Sequence, residues 1–269
     1  MKIIKETIKN FLLNFGYKLS KIKSIEREIG YEFGEEALYV LKKVKSHTMV
    51  SKDALITLYQ QVRHCQLNSI EGSYVECGVW KGGAVGVIAS AIKNYESFPR
   101  EIHCFDIFDD ICEPDPLIDG DKALDDVFKY AQVKSEELSG ELKPVKGIYD
   151  QFGGHGTIKI LEELIINRLK YPRKLLKIHK GWFQDTIPKI EPNIGKIAIL
   201  RLDGDWYSST KVCLDYLYKH LSIGGFIIID DYGCYEGCAK AVDEFRKINN
   251  INDFMVTVNN ETRYWIKSK

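Results

Sequence analysis

SYVECGVWKGG, residues 73–83, begins as a short apolar run, breaks at a glycine and restarts as a helix-forming segment. We read 73–79 as a strand and the segment after it as a helix through about Tyr95. Glycine at the junction lets the chain turn sharply and lets a ligand approach the backbone. The same alternation recurs down the chain. EIHCFDIF (101–108), KLLKIHKG (174–181), KIAILRLDG (196–204) and GGFIIIDDY (224–232) read as strands, with a helix from about Gly237 to Ile248 after the last. Strands rich in Ile, Val and Leu, separated by helices, form a parallel sheet buried on both faces. Two further strands, FMVTVNN (254–260) and RYWIKS (263–268), are too closely spaced for a crossover, so they form an antiparallel pair at the edge. The fold class is α/β with a mostly parallel, seven-stranded sheet.

The bulk composition sets limits. A chain of 269 residues with 45% hydrophobic content can bury one sizeable core plus a short extension. Its 38 basic and 38 acidic residues cancel, which removes the electrostatic reason to expect a nucleic-acid partner. No apolar run is long enough to span a bilayer. The opening MKIIKETIKNFLLNFGYKL is interrupted by Lys, Glu and Asn and does not read as a signal peptide. Seven cysteines, an odd number without framework spacing, fit reduced thiols in a cytoplasmic protein.

Residues 1–70 read as a helical extension. Ile4, Ile8, Phe11, Leu12, Phe15, Leu19 and Ile22 recur at helical spacing. A lid, an oligomer arm and a membrane-surface helix are the functional readings. Interrupted apolarity favours a helix packed on its own domain or on a second copy, and hence a homodimer or larger homo-oligomer. The remainder, 71–269, reads as the ligand-binding domain, with an insert at about 109–155 that holds Pro114, Pro116, acidic clusters, a helix near Lys122–Ala131 and QFGGHG. A connection of that length is usually functional, and we read it as a cap over the ligand crevice.

Ligands of open parallel sheets bind beyond the carboxyl ends of the strands, at the point where strand order reverses. Glu76, Gly78, Val79 and Trp80 follow the first strand, but Trp80 takes the place of the middle glycine of a dinucleotide fingerprint. The second strand ends at Asp106, an acid placed to accept hydrogen bonds from ribose hydroxyls. After the third come Gly181, Trp182 and Phe183, a small residue and two flat apolar faces suited to an adenine. Each alone has a plain structural reading; together they favour a nucleoside pocket. After the fourth and fifth strands stand Asp203, Asp205, Asp230 and Asp231. Four carboxylates at neighbouring tips repel one another. A hard divalent cation relieves that, and oxygen ligands without His or Cys favour Mg²⁺, Mn²⁺ or Ca²⁺. Helix capping can occupy some of these oxygens but does not need four acids.

VECGVWKGG, GWFQDTIP, LRLDGDWYSST, LYKHLSIGGFIIIDDYG and AVDEFR together resemble the macrocin O-methyltransferase (TylF-like) family, over residues 70–267 and more thinly over 110–155. The resemblance implies a Rossmann-like class I methyltransferase fold that binds S-adenosylmethionine, with Mg²⁺ (or Mn²⁺) orienting a sugar hydroxyl. It implies Asp203, Asp230 and Asp231 as metal ligands and Asp205 as general base. Glu76 and Gly78 match the methionine-side turn, and Asp106 matches the ribose acid. Trp182 and Phe183 match the stretch after the third strand, and Asp203 borders the cofactor as well as the metal. The expected acceptor is a small molecule or glycan. Three other readings compete: a catechol O-methyltransferase, which uses metal similarly; a nicotinamide short-chain oxidoreductase; and a non-catalytic scaffold. Tyr207/Lys211 and Tyr130/Lys134 have the oxidoreductase spacing, but its glycine-rich loop is absent. Of the six histidines His155, within GGHG, stands out, and Cys234/Cys238 lack zinc partners.

Overall fold

The computed structural model describes residues 34–95, 100–131 and 138–269. The chain divides into two compact units, Met1–Tyr39 and Val40–Lys269. The apolar stripe from Ile4 to Ile22 lies outside the described residues. In chain order the elements are α1 (Gly34–Val44), α2 (Lys52–Leu67), β1 (Ser73–Cys77), α3 (Gly83–Asn94), β2 (Ile102–Asp106), α4 (Asp121–Ala131), α5 (Ile158–Glu162), β3 (Leu176–Lys180), α6 (Phe183–Ile190), β4 (Ile197–Leu202), α7 (Tyr207–Leu217), β5 (Leu221–Ile229), α8 (Glu236–Ile248), β6 (Val256–Thr257) and β7 (Arg263–Ile266).

One seven-stranded sheet runs in the order β3-β2-β1-β4-β5-β7-β6. The first five are parallel, and β7 runs antiparallel to both β5 and β6. The expected edge pair is present, with β7 inserted between β5 and the outermost β6. Strand order reverses between β1 and β4. Cys77 is level with Phe105 of β2 and Leu202 of β4, and Leu202 with Ile229 of β5. The residues that follow these strands therefore emerge at one height.

Strands β1, β2 and β4 are almost wholly buried because helices cover both faces. The second unit starts at Val40, well before the expected boundary near residue 70, and the packing of α2 explains this. Val62 and Cys65 of α2 are inaccessible to solvent, and Gln66 accepts hydrogen bonds from Tyr74 of β1 and from Arg100. All seven cysteines are free thiols. Among the described residues no helix is long and apolar enough to cross a membrane.

Candidate active site

The turn after β1 is set by close approach. A Cβ on Gly78 (φ 91°) would lie 1.6 Å from the Asp203 carbonyl oxygen, so only glycine lets β1 and β4 end this close. Trp80 adopts φ 47°, a backbone state rare for a bulky residue. Three contacts hold it there. Its amide donates to Asp106 Oδ2 at 2.9 Å, its indole N–H donates to the Gly154 carbonyl at 3.2 Å, and Gly156 packs against its carbonyl. Asp106 also accepts from the amides of Val79 (2.6 Å) and Phe108. The acid at the end of β2 thus organises the β1 turn, and the second lone pair of Oδ1 is left for a ligand. Burial pushes its carboxyl above the ordinary range while these amides pull it back.

Charge concentrates at the tips of β4 and β5. Arg201, the one charged residue in the apolar strand IAILRL, is 2% exposed. Its Nη1 donates to Glu76 Oε1 at 2.8 Å and to Asp203 Oδ2 at 2.7 Å. Its Nη2 lies 2.9 Å from Asp230 Oδ1, an ion pair without hydrogen-bond alignment. Asp230 Oδ1 also accepts from the Thr262 hydroxyl at 3.1 Å. Asp203, Asp205 and Asp231 each offer an oxygen, and these oxygens lie within 4.8 Å of one another. The amide of Asp205, itself at φ 59°, donates to Asp231 Oδ2 at 3.2 Å. The structure thus groups Asp205 with Asp203 and Asp231, and turns Asp230 toward Arg201 and Thr262. Burial, then the neighbouring carboxylates, raise the carboxyls of Asp205 and Asp231 well above the ordinary range. None of these side chains caps a helix, and the N-cap residues of α7 and α8, Trp206 and Tyr235, make no side-chain cap bond themselves.

The residues expected to hold cofactor or metal, or to act as base, all line one cavity of about 420 Å³: Glu76, Gly78, Val79, Trp80, Asp106, Gly181, Trp182, Phe183, Asp203, Asp205, Asp230 and Asp231. Buried Glu76 has a carboxylate oxygen, Oε2, with no hydrogen-bond partner, and desolvation pushes its carboxyl up to about 8. The insert supplies much of the remaining wall, including Asp109, Ile111, Lys122, Asp126, Tyr130 and Tyr149. It is stitched to the sheet tips. Lys81 Nζ donates to the carbonyls of Phe152 and Gly153, both at 2.9 Å. The Trp206 indole donates to Cys112, and Asp119 accepts the first amide of α7, from Tyr207, at 2.7 Å.

Sequence reasoning missed Arg201, Lys81, Asp119 and Asp126. A lone arginine inside an apolar strand was the available signal for the first; the others gain meaning only from tertiary neighbours. His155 stands beside Asp109 and Asp110 rather than the main cluster, and Asp109 is paired with Lys146 at 2.6 Å.

The Macrocin-O-methyltransferase (TylF) family profile matches residues 40–267. The chain belongs to this family. It is an S-adenosylmethionine-dependent O-methyltransferase. It is 28% identical over 271 residues to the mycinamicin III 3''-O-methyltransferase of Micromonospora griseorubida, covering 100% of this chain and 96% of that one. It is 29% identical over 259 residues to the demethyldecarbamoylnovobiocin O-methyltransferase of Streptomyces niveus, covering 95% and 86%. The solved O-methyltransferase NovP superposes with a TM-score of 0.62 at 28% identity, over 83% of each chain. The calicheamicin methyltransferase CalS11 shares the fold, with a TM-score of 0.54 at 16% identity, over 93% and 99%.

Proposed function

We propose that this O-methyltransferase methylates a hydroxyl of a sugar, on a glycan or glycosylated small molecule, with a divalent cation, Mg²⁺ or Mn²⁺, at the β4–β5 tips. The observation that carries the metal is the convergence of Asp203, Asp205 and Asp231. Arg201 reaches Asp203 and Asp230, which leaves Asp205 and Asp231 facing each other in a buried site. A hard cation is the fitting counter-charge for such an oxygen set. Because Asp230 is engaged by Arg201 and Thr262, the grouping favours Asp205 as the third ligand. The resemblance-based set of Asp203, Asp230 and Asp231 is the alternative. The sugar acceptor is supported by relatives that methylate glycosylated small molecules, among them a methyltransferase of a rhamnosyl-tetracenomycin from Streptomyces olivaceus, 28% identical over 220 residues.

The cofactor fit rests on Glu76 and Asp106. The unpartnered Glu76 Oε2 on the cavity wall is an acceptor placed for the cofactor's ammonium group. Asp106 would take the ribose, and Trp182 and Phe183 would flank the adenine. When bound, S-adenosylmethionine supplies an electrophilic methyl on a sulfonium, and the cation supplies positive charge that acidifies a nearby hydroxyl. The chain's own part would be to hold the acceptor oxygen in line with that methyl and to take its proton on a carboxylate. Asp205 fits that last role, because only one of its two oxygens is needed in the trio. The walls hold both reactants in attack geometry. The residues of α4 and of the 147–156 loop form the cap that keeps water from them.

We further propose a homo-oligomer, supported by the apolar stripe from Ile4 to Ile22; light scattering at micromolar concentration should exceed the 30.9 kDa of one chain. The main reading is tested by methyl transfer from labelled S-adenosylmethionine to a panel of glycosides, with and without EDTA. Transfer that EDTA abolishes and Mg²⁺ restores is expected. Full turnover in EDTA would remove the cation from the mechanism, and transfer to catechols but not to glycosides would move the acceptor class.

A further inference from the structure

Helix α4 presents two unlike faces. Ala123 and Val127 point into a small apolar cluster with Cys112, Val145, Ile148 and Trp206. Lys122, Asp126 and Tyr130, spaced four residues apart and therefore on one stripe, line the cavity that holds the catalytic carboxylates. A surface helix normally turns such a stripe to bulk water. Here the Asp126 side chain is only 16% exposed. It accepts a hydrogen bond from the Tyr235 hydroxyl at 3.0 Å and pairs with Lys122. Tyr235 belongs to the loop between Asp231 and α8 and packs edge-on against Trp206, with ring centroids 5.0 Å apart. Asp126 is thus fixed from two elements, across the cavity wall from the acids that do the chemistry.

We infer that Asp126, held by Lys122 and Tyr235, is the acceptor-orienting residue: it takes hydroxyl protons of the sugar ring next to the reacting oxygen. This rests on the sugar reading above and names the group that executes it. Lys122 and Tyr235 both bond Oδ2, which leaves Oδ1 to accept from ring hydroxyls, and such charge-assisted bonds fix a ring's orientation as well as its affinity. The surrounding charge sets a limit on the ligand. Lys122 is the sole lysine or arginine among the described lining residues, and it is already paired. Asp106, Asp109, Asp203, Asp205 and Asp231 line the same space. Even with a dication in the trio the wall stays acidic, so the hydroxyl-bearing ring that fits is uncharged, with no phosphate beside the reacting position.

The test uses the full chain with S-adenosylhomocysteine and Mg²⁺, titrated with neutral methyl pyranosides (gluco, manno, galacto and rhamno) and followed by saturation-transfer NMR. The Asp126→Asn and Tyr235→Phe variants are measured alongside. At least one pyranoside should bind, and Asp126→Asn should weaken it by about ten- to a hundredfold, as expected for a lost charged hydrogen-bond acceptor. S-adenosylhomocysteine affinity, read by calorimetry, should stay at the wild-type value, which also shows that the variant is folded. If Asp126 merely braces Tyr235, then Tyr235→Phe will copy Asp126→Asn, and the inference fails. It fails also if no pyranoside binds, or if the same sugars bind more tightly as nucleoside diphosphate esters. Absence of S-adenosylhomocysteine binding to the wild type is a separate result, and it would sink the cofactor assignment rather than this one.

Discussion

Arg201 divides the carboxylates at the strand tips into two groups. Its guanidinium serves Glu76, Asp203 and Asp230, so the proposed cation would be held chiefly by what remains, Asp205 and Asp231, with the second oxygen of Asp203. Two neighbouring aspartates of identical chemistry should therefore behave differently. Asp231→Asn removes an oxygen from the trio and should lower Mg²⁺ affinity by about ten- to a hundredfold. Asp230→Asn should change it by less than about threefold, because Asp230 Oδ1 is taken up by Arg201 and Thr262. Asp205→Asn removes a trio oxygen and the proton acceptor together, so Mg²⁺ affinity should fall as in Asp231→Asn, and turnover at saturating Mg²⁺ should still be lower by about 10²–10⁴-fold. Metal titration by calorimetry beside steady-state rates separates the three; equal Mg²⁺ losses in the 230 and 231 variants would restore Asp230 as a ligand. The acids themselves were legible in the sequence because they follow apolar strands. Their division was not, since it depends on which way one buried arginine points.

At the scale of elements, β1, β2, β4 and the second half of β5 were legible because burial demands apolar runs, which LRLDGD and FIIIDDY end abruptly with acids. Of the insert, the helix near Lys122–Ala131 was legible and is α4, but the packing of the rest was not. Its apolar residues Ile111, Cys112, Ala123, Val127, Val145 and Ile148 are scattered and become a cluster only around Trp206 of the β4–α7 turn. A pH test belongs to the β2–β3 edge. His179 stacks on Phe105 at 4.4 Å and on His103 at 5.3 Å. Burial, then the His103 and Lys177 charges, push its imidazole down to about 4, from 6.5. The folded state thus resists a proton that the unfolded chain takes up below 6.5, so this group costs stability as pH falls from 6.5 toward 4. Replacing it by an aromatic of similar shape removes that cost. His179→Phe should lose less Tm than wild type between pH 7 and pH 5, measured by calorimetry. Parallel curves would show that the imidazole is not the group that responds.

Across the whole molecule the charges balance, 38 against 38, yet they are not evenly spread. One cavity gathers Glu76, Asp106, Asp109, Asp126 and the four acids of the β4 and β5 tips, while Lys122 is the sole described lysine or arginine on its wall. Burial first, and the neighbouring carboxylates after it, raise Glu76, Asp205 and Asp231, a cost that the rest of the fold carries. A binding site built this way is least stable when empty, and whatever ligand neutralises it stabilises the chain by linkage. Mg²⁺ at a hundred times its dissociation constant contributes about 2.7 kcal/mol, which for a chain of this size raises Tm by roughly 5–10 °C. Asp231→Asn should move the two conditions in opposite directions. In EDTA it removes a repelling buried charge, so Tm should rise above that of the wild type; with Mg²⁺ it has lost a ligand, so the rise on adding metal should shrink. That crossing of wild-type and variant curves is the expected outcome of a cluster arranged for catalysis at the expense of stability. A wild-type Tm that Mg²⁺ leaves unmoved, or an Asp231→Asn chain less stable than wild type in EDTA, would show that the acids are satisfied by the fold itself and hold no cation.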